Sequence, residues 1–124
     1  MRESHVLVLP FPDSRLLPNR KVDRWTKGSA TKESRTEAHW LAREQIGLRV
    51  SPIEKCRMTY IFYPKSKKVA DCDSLVRACK PFIDGIVDAG ILTNDSWDVI
   101  VERTQRLGGI DKSNPRTEIE IVEV

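Results

Sequence analysis

Cysteine is scarce in this chain, and its number is odd. Cys56, Cys72 and Cys79 are the only three, and no two form a CxxC pair. A disulfide framework is therefore not expected, and free thiols in a reducing cytoplasmic compartment are. The spacing of Cys72, Cys79, His5 and His39 fits no zinc motif. Long apolar runs are missing too, since no window approaches the ~18 residues of a membrane span. Residues 1–10 hold only the short apolar run from Val6 to Leu9, so no signal peptide is expected. There are no internal repeats, no low-complexity tracts and no Gly-rich loop of the kind that cradles a nucleotide phosphate. These absences exclude a secreted disulfide scaffold and a membrane protein, and they give no reason to expect an organic cofactor.

What is present describes an ordinary globular composition. Hydrophobic residues make up 40% of 124 residues and charged residues 31%, which predicts one domain, residues 1–124, with one core. A domain of this size has little surface to spare for an enclosed pocket, so an open groove or a dimer interface is the expected place for a site. The net charge is +3. The charges are unevenly spread: Arg15, Arg20, Lys21, Arg24 and Lys27 crowd one stretch, and Lys65, Lys67 and Lys68 another, while carboxylates gather after Asp71. A basic surface beside a compact acidic cluster suits a metal site that must hold a polyanion.

Periodicity places these charges on elements. Residues 5–9 read as a short buried strand ended by Pro10 and Pro12, and residues 11–28 as an ordered, cation-rich loop. Residues 31–46 predict a helix, with Ala38, Leu41, Ala42, Gln45 and Ile46 on one face and Gly47 as its stop. Over residues 53–63 the period switches to two, with Cys56, Met58, Tyr60 and Phe62 on one face, as in a half-buried strand. Residues 64–70, PKSKKVA, form a basic connector. In residues 75–89, Leu75, Cys79, Phe82, Ile83, Ile86 and Ala89 share one helical side, and Asp73, Arg77, Lys80, Asp84 and Asp88 the other. Pro81 requires either a kink or a fresh helix start there, and Gly90 ends the segment. Residues 98–107 and 116–124 read as strands. The order β-α-β-α-β-β predicts an α+β domain with a mixed or antiparallel sheet and two main helices.

The chemistry concentrates around Asp71-Cys72-Asp73. In extended chain these two carboxylates would point to the same side, an arrangement stabilised by a cation or a shared proton between them. Mg²⁺ takes one or two carboxylates alongside water and phosphate oxygens, so the pair reads as a Mg²⁺ half-site. A plainer alternative makes Asp73 a helix N-cap. Lys80 and Asp84 follow on the same helix face, and Asp95 sits on a loop able to return to the helix start. Three aspartates and a lysine from two elements suit phosphodiester hydrolysis, in which a metal activates water and a lysine offsets charge on the phosphate.

At these residues the sequence resembles the RusA family of Holliday junction resolvases. The family pattern of D-x-D-N-L, a lysine, an aspartate four residues later, A-G and an acidic pair is met by Asp71-Cys72-Asp73-Ser74-Leu75, then KPFIDGIVDAG from Lys80 to Gly90, then Asn94-Asp95. The early segments LPFP and LLPNR are similar to the family's Pro-rich start, so the resemblance runs over about residues 5–105. Ser74 replaces the usual asparagine, Asn94 replaces the first acid of the pair, and the step from Asp73 to Lys80 is longer than in the best-known member. The resemblance implies that Asp71, Asp73 and Asp95 are metal-binding catalytic residues and Lys80 a catalytic lysine. It also implies Mg²⁺, with Mn²⁺ as a substitute, a homodimer, and a four-way DNA junction as substrate. Lys65, Lys67, Lys68, Arg20, Lys21 and Arg24 are expected to grip DNA phosphates. An alternative is a catalytically silent binder of branched DNA on the same fold. Trp25 and Trp40 are expected to pack in the core or a dimer interface, Asp84 and Asp88 to be solvated, and His39 to be a packing or surface histidine. Trp97 is a candidate wedge at a junction.

Overall fold

The computed structural model describes residues 3–18 and 20–124. Strand β1 (Ser4–Pro10) leads through a 3-10 turn (Ser14–Leu16) to helix α1 (Arg24–Gln45), then strand β2 (Cys56–Tyr63). Two short helices follow, α2 (Cys72–Ala78) and α3 (Lys80–Asp88), and strands β3 (Ile100–Leu107) and β4 (Arg116–Glu123) complete the chain. The α+β class and the mixed sheet are as the sequence predicts.

The strands form one sheet in the order β1-β4-β2-β3. β4 runs antiparallel to both β1 and β2, and β3 lies parallel to β2. Parallel neighbours need a crossover, and the α2–α3 pair supplies one between β2 and β3. Alternation along the strands makes one sheet face apolar. Leu7, Ile119 and Tyr60 stand in one row across β1, β4 and β2, and all are buried. Ala38 and Ala42 of α1 and Phe82, Ile83 and Ile86 of α3 pack onto that face, giving a single core. β1 is half-buried rather than buried as expected, because it forms an edge with Val6 and Val8 on the uncovered face. Between β3 and β4 the chain passes over the end of β2, where Gly108 donates to the Phe62 carbonyl at 2.8 Å.

Two element boundaries differ from expectation for local reasons. α1 begins at Arg24, inside the stretch expected to be loop, because the Asp23 carboxylate caps it by accepting from the Thr26 N–H at 2.7 Å. The buried residues of α1, Ala30, Ser34, Ala38 and Ala42, recur every four positions and are all small. They give a narrow seam on which α3 can lie close. The helical segment around Pro81 resolves into two helices, with Pro81 in the first turn of α3, where its missing N–H leaves no bond unmade. No helix among the described residues is long and apolar enough to cross a membrane.

Candidate functional site

Asp71 keeps an extended backbone but Asp73 does not, contrary to the expectation that both lie on extended chain. Asp71 occupies the N-cap position of α2, with φ −63° and ψ 153°, and Asp73 lies in the first helical turn. Helix formation wins here because Leu75 is drawn into the core and its N–H bonds to the Asp71 carbonyl at 3.0 Å. The plainer alternative is also corrected, since Asp71 rather than Asp73 holds the cap position and its side chain makes no capping bond. Both residues are exposed. Among the described residues, no hydrogen bond or ion pair engages either carboxylate. Cys72 between them is half-buried, and burial together with its two acidic neighbours pushes its thiol pKa upward.

Lys80 is the hub of the site. It is the first residue of α3, and its Nζ donates to Asp84 Oδ1 at 2.7 Å and to Asp95 Oδ2. Those bonds, to Asp84 first and then to Asp95, raise the lysine pKa above its ordinary value. Reciprocally, the Lys80 ammonium lowers the Asp95 pKa, against a smaller opposing effect of burial. Asp95, fifteen residues on in sequence, thus meets the head of α3, whereas the expectation had it returning to the start of a single helix beginning near Asp73. Asp84 is ion-paired rather than solvated, and Asp88 forms a bidentate pair with Arg35 of α1 at 2.6 and 2.8 Å.

Two residues that position Asp95 were not foreseen. Arg103 Nη2 donates to the Asp95 carbonyl at 2.9 Å, and its Nη1 donates to the Tyr60 hydroxyl at the same distance. Tyr60 is 1% exposed, so the loop is tied through Arg103 to the core. A tyrosine on the core face of a strand needs a partner for its hydroxyl, and that need was the available signal. The loop is stiffened further by Asn94, whose Oδ1 accepts from the Ser96 N–H at 2.8 Å.

The remaining expectations divide. Lys65, Lys67 and Lys68 are exposed on the connector before α2, and Arg20 and Lys21 are exposed ahead of α1. Arg24, expected on a loop, is the first residue of α1. Trp25 and Trp40 are 86% and 60% exposed, so core packing is overturned for both; the helix seam that faces the core is built from alanine and serine instead. Trp97, two residues past Asp95, is also 86% exposed. His39 is half-buried against Trp40, with ring centroids 4.8 Å apart. All three cysteines are free thiols.

Among the described residues, no three His, Cys, Asp or Glu side chains converge on one point where an ion could sit. The donor chemistry still suits a hard divalent cation. Asp71, Asp73 and Asp95 offer only oxygen, the first two are unengaged, and Asp95 retains its Oδ1.

No family model matches the chain. A protein of Xylella fastidiosa (strain Temecula1 / ATCC 700964), described as an uncharacterized protein, is 34% identical over 92 residues. The match takes in 72% of this chain and 60% of that relative, so the chain spans less than two thirds of the relative's length.

Proposed function

We propose that the chain is a divalent-metal-dependent endonuclease of the RusA type that nicks four-way DNA junctions as a homodimer. One observation carries the reading: Asp95, remote in sequence, meets Lys80 at the head of α3, which brings together two of the four residues that the motif resemblance names. Asp71 and Asp73 stand at the head of the preceding helix, with carboxylates that no hydrogen bond or ion pair engages among the described residues.

The roles follow from the chemistry of each group. Lys80 is protonated at neutral pH, as a lysine ordinarily is, and its bonds to Asp84 and Asp95 raise its pKa further. An ammonium has three N–H donors, and two are committed to Asp84 and Asp95. The third is free for a phosphate oxygen, whose growing charge it would offset. Asp84 orients the lysine, and Arg103 holds the Asp95 loop against Tyr60. Asp71, Asp73 and Asp95 would hold Mg²⁺, which when bound neutralises the phosphate and activates water. One small domain carries one such centre, whereas paired nicks need two, and an isologous dimer supplies them with the two-fold symmetry of a junction.

The test is cleavage of a synthetic four-way junction with Mg²⁺, set beside linear duplex. Asp71→Asn, Asp73→Asn and Asp95→Asn should each slow nicking by ~10²–10³-fold or more while junction binding persists. Lys80→Ala should likewise bind and cut poorly, and light scattering should give a dimer mass. Near-normal nicking by Asp71→Asn or Asp95→Asn would end the reading. The second reading, a silent binder of branched DNA, is favoured by the missing convergence of three carboxylates among the described residues. It predicts tight junction binding by the wild type with no nicking at all.

A further inference from the structure

We infer that the groove between the Ser14–Leu16 turn, α1 and the α2–α3 junction is a second phosphate subsite, seating a backbone phosphodiester next to the one held at Lys80. The inference rests on the nuclease reading for the identity of its ligand. Apart from Lys80, which the groove shares, the cations assigned individually to DNA so far lie on residues 20–24 and 65–68; this groove adds Lys27 and Arg77.

The groove encloses about 350 Å³, with Leu16 and Pro18 as its apolar wall. Lys27 comes from α1, Arg77 from α2, and Lys80 and Asp84 from α3. Lys80 is already paired with Asp84 and with Asp95, which reaches it from outside the groove, so three cations against two carboxylates leave a local charge of +1, carried by Lys27 and Arg77. Neither the Lys27 nor the Arg77 side chain has a hydrogen bond or ion pair among the described residues. Lone surface cations are common, but these two come from separate helices and line one concavity, so an anion there meets both. Arg77 offers the planar fork that suits phosphate, and Lys27 a mobile point charge. Lys80 belongs to this groove and to the candidate centre alike, which makes the two sites continuous. A strand whose scissile phosphate meets Lys80 would therefore carry a neighbouring phosphate into the groove.

The test uses the full chain with Lys27→Ala/Arg77→Ala, neither residue being part of the proposed catalytic set. Each lost phosphate contact should flatten the slope of log affinity against log salt by ~0.7–0.9. For two contacts, wild type should lose about tenfold more junction affinity than the double variant between ~50 and ~200 mM salt. Single neutral methylphosphonates placed along the cleaved strand should include one position that weakens the wild type and leaves the double variant unaffected. An equal salt slope in both proteins, with an unchanged melting temperature, would overturn the subsite. A separate arm titrates inorganic pyrophosphate by amide NMR, with shifts expected at Lys27 and Arg77 and none in the double variant. Pyrophosphate binding there by a wild type that neither binds nor cuts junctions would keep the anion groove and reject the nuclease reading. A wild type that binds neither ligand there would reject the subsite itself.

Discussion

Gly85 lies where α3 crosses α1, and replacing it by alanine is the sharpest test of how the site's scaffold is held. A Cβ on Gly85 would stand 2.3 Å from the Arg35 carbonyl oxygen and 2.9 Å from both the Ala38 Cβ and the His39 nitrogen. Two of these neighbours are backbone atoms in the middle of a 22-residue helix, so no side chain can swing away. Ordinary contact begins near 3.4 Å, and restoring it requires the helices to part by about 1 Å. A gap of that size forfeits about a quarter to a half of the dispersion energy of each contact across the seam. Overpacking alone typically costs about 1–3 kcal/mol. The separation also strains the bidentate Arg35–Asp88 pair that straddles the crossing. Alanine is the better helix former by about 1 kcal/mol, which offsets part of this. We expect Gly85→Ala to lose about 2–3 kcal/mol, or about 10 °C in melting temperature by circular dichroism for a chain of this size. An unchanged or higher melting temperature would mean that propensity outweighs packing, and that α1 and α3 are not in the close contact described.

Two further predictions probe charge. Asp95 should titrate below the ordinary 3.8 of an aspartate, read from its carboxyl ¹³C shift, and should move back towards that value in Lys80→Ala. Because the folded value is lowered, the pair's contribution to stability is present above about pH 3.8 and fades as pH falls through the lower folded value. The raised pKa of Lys80 keeps the pair intact below about 10.5 and loosens it only at higher pH. Titration of Asp95 at or above 3.8 in the wild type would refute the ion pair. Replacing Lys65, Lys67 and Lys68 together by alanine should weaken binding to any junction sequence about equally and flatten the salt slope by roughly 2–3. Loss confined to a single junction sequence would assign the connector to base reading instead.

Much of the fold was legible because burial enforces period. Met58, Tyr60 and Phe62 alternate in sequence and all face the core. Leu75, Cys79, Phe82, Ile83 and Ile86 remain on one buried side although the chain breaks into two helices between them. The break costs the pattern little, since the Ile83 N–H still reaches the Cys79 carbonyl at 3.1 Å across Pro81. The start of α1 was missed because its first turns carry almost no apolar signal: Trp25 faces outward and the buried stripe begins only at Ala30. The cue lay in Asp23 three residues before Thr26, a capping spacing that the surrounding cations obscured.

At the site, sequence reasoning placed Lys80 and Asp84 on one helix face yet expected Asp84 to be solvated, and it failed for the groups joined by backbone geometry. Lys80 and Asp84 stand four residues apart on a helix, where opposite charges meet almost by necessity. For Asp95, the sequence offered only a loop able to return to the helix start, because no spacing rule fixes where the eleven-residue connection between α3 and β3 leads. The structure gives the physical cause. Arg103 projects from β3 towards the core side of the sheet, and its planar fork spans the Tyr60 hydroxyl and the Asp95 carbonyl. Asp95 is thereby referred to β2, through Tyr60, and to α3, through Lys80. The Asp71–Asp73 geometry was misjudged because a D-x-D pair has two local solutions, extended or helix-starting, and the choice depends on the next core residue. Leu75 is wholly buried, and seating it winds the chain into a helix from Cys72 onward. The two carboxylates consequently open from a helix start instead of projecting from one side of a strand, so any cation they share must be met at the head of α2.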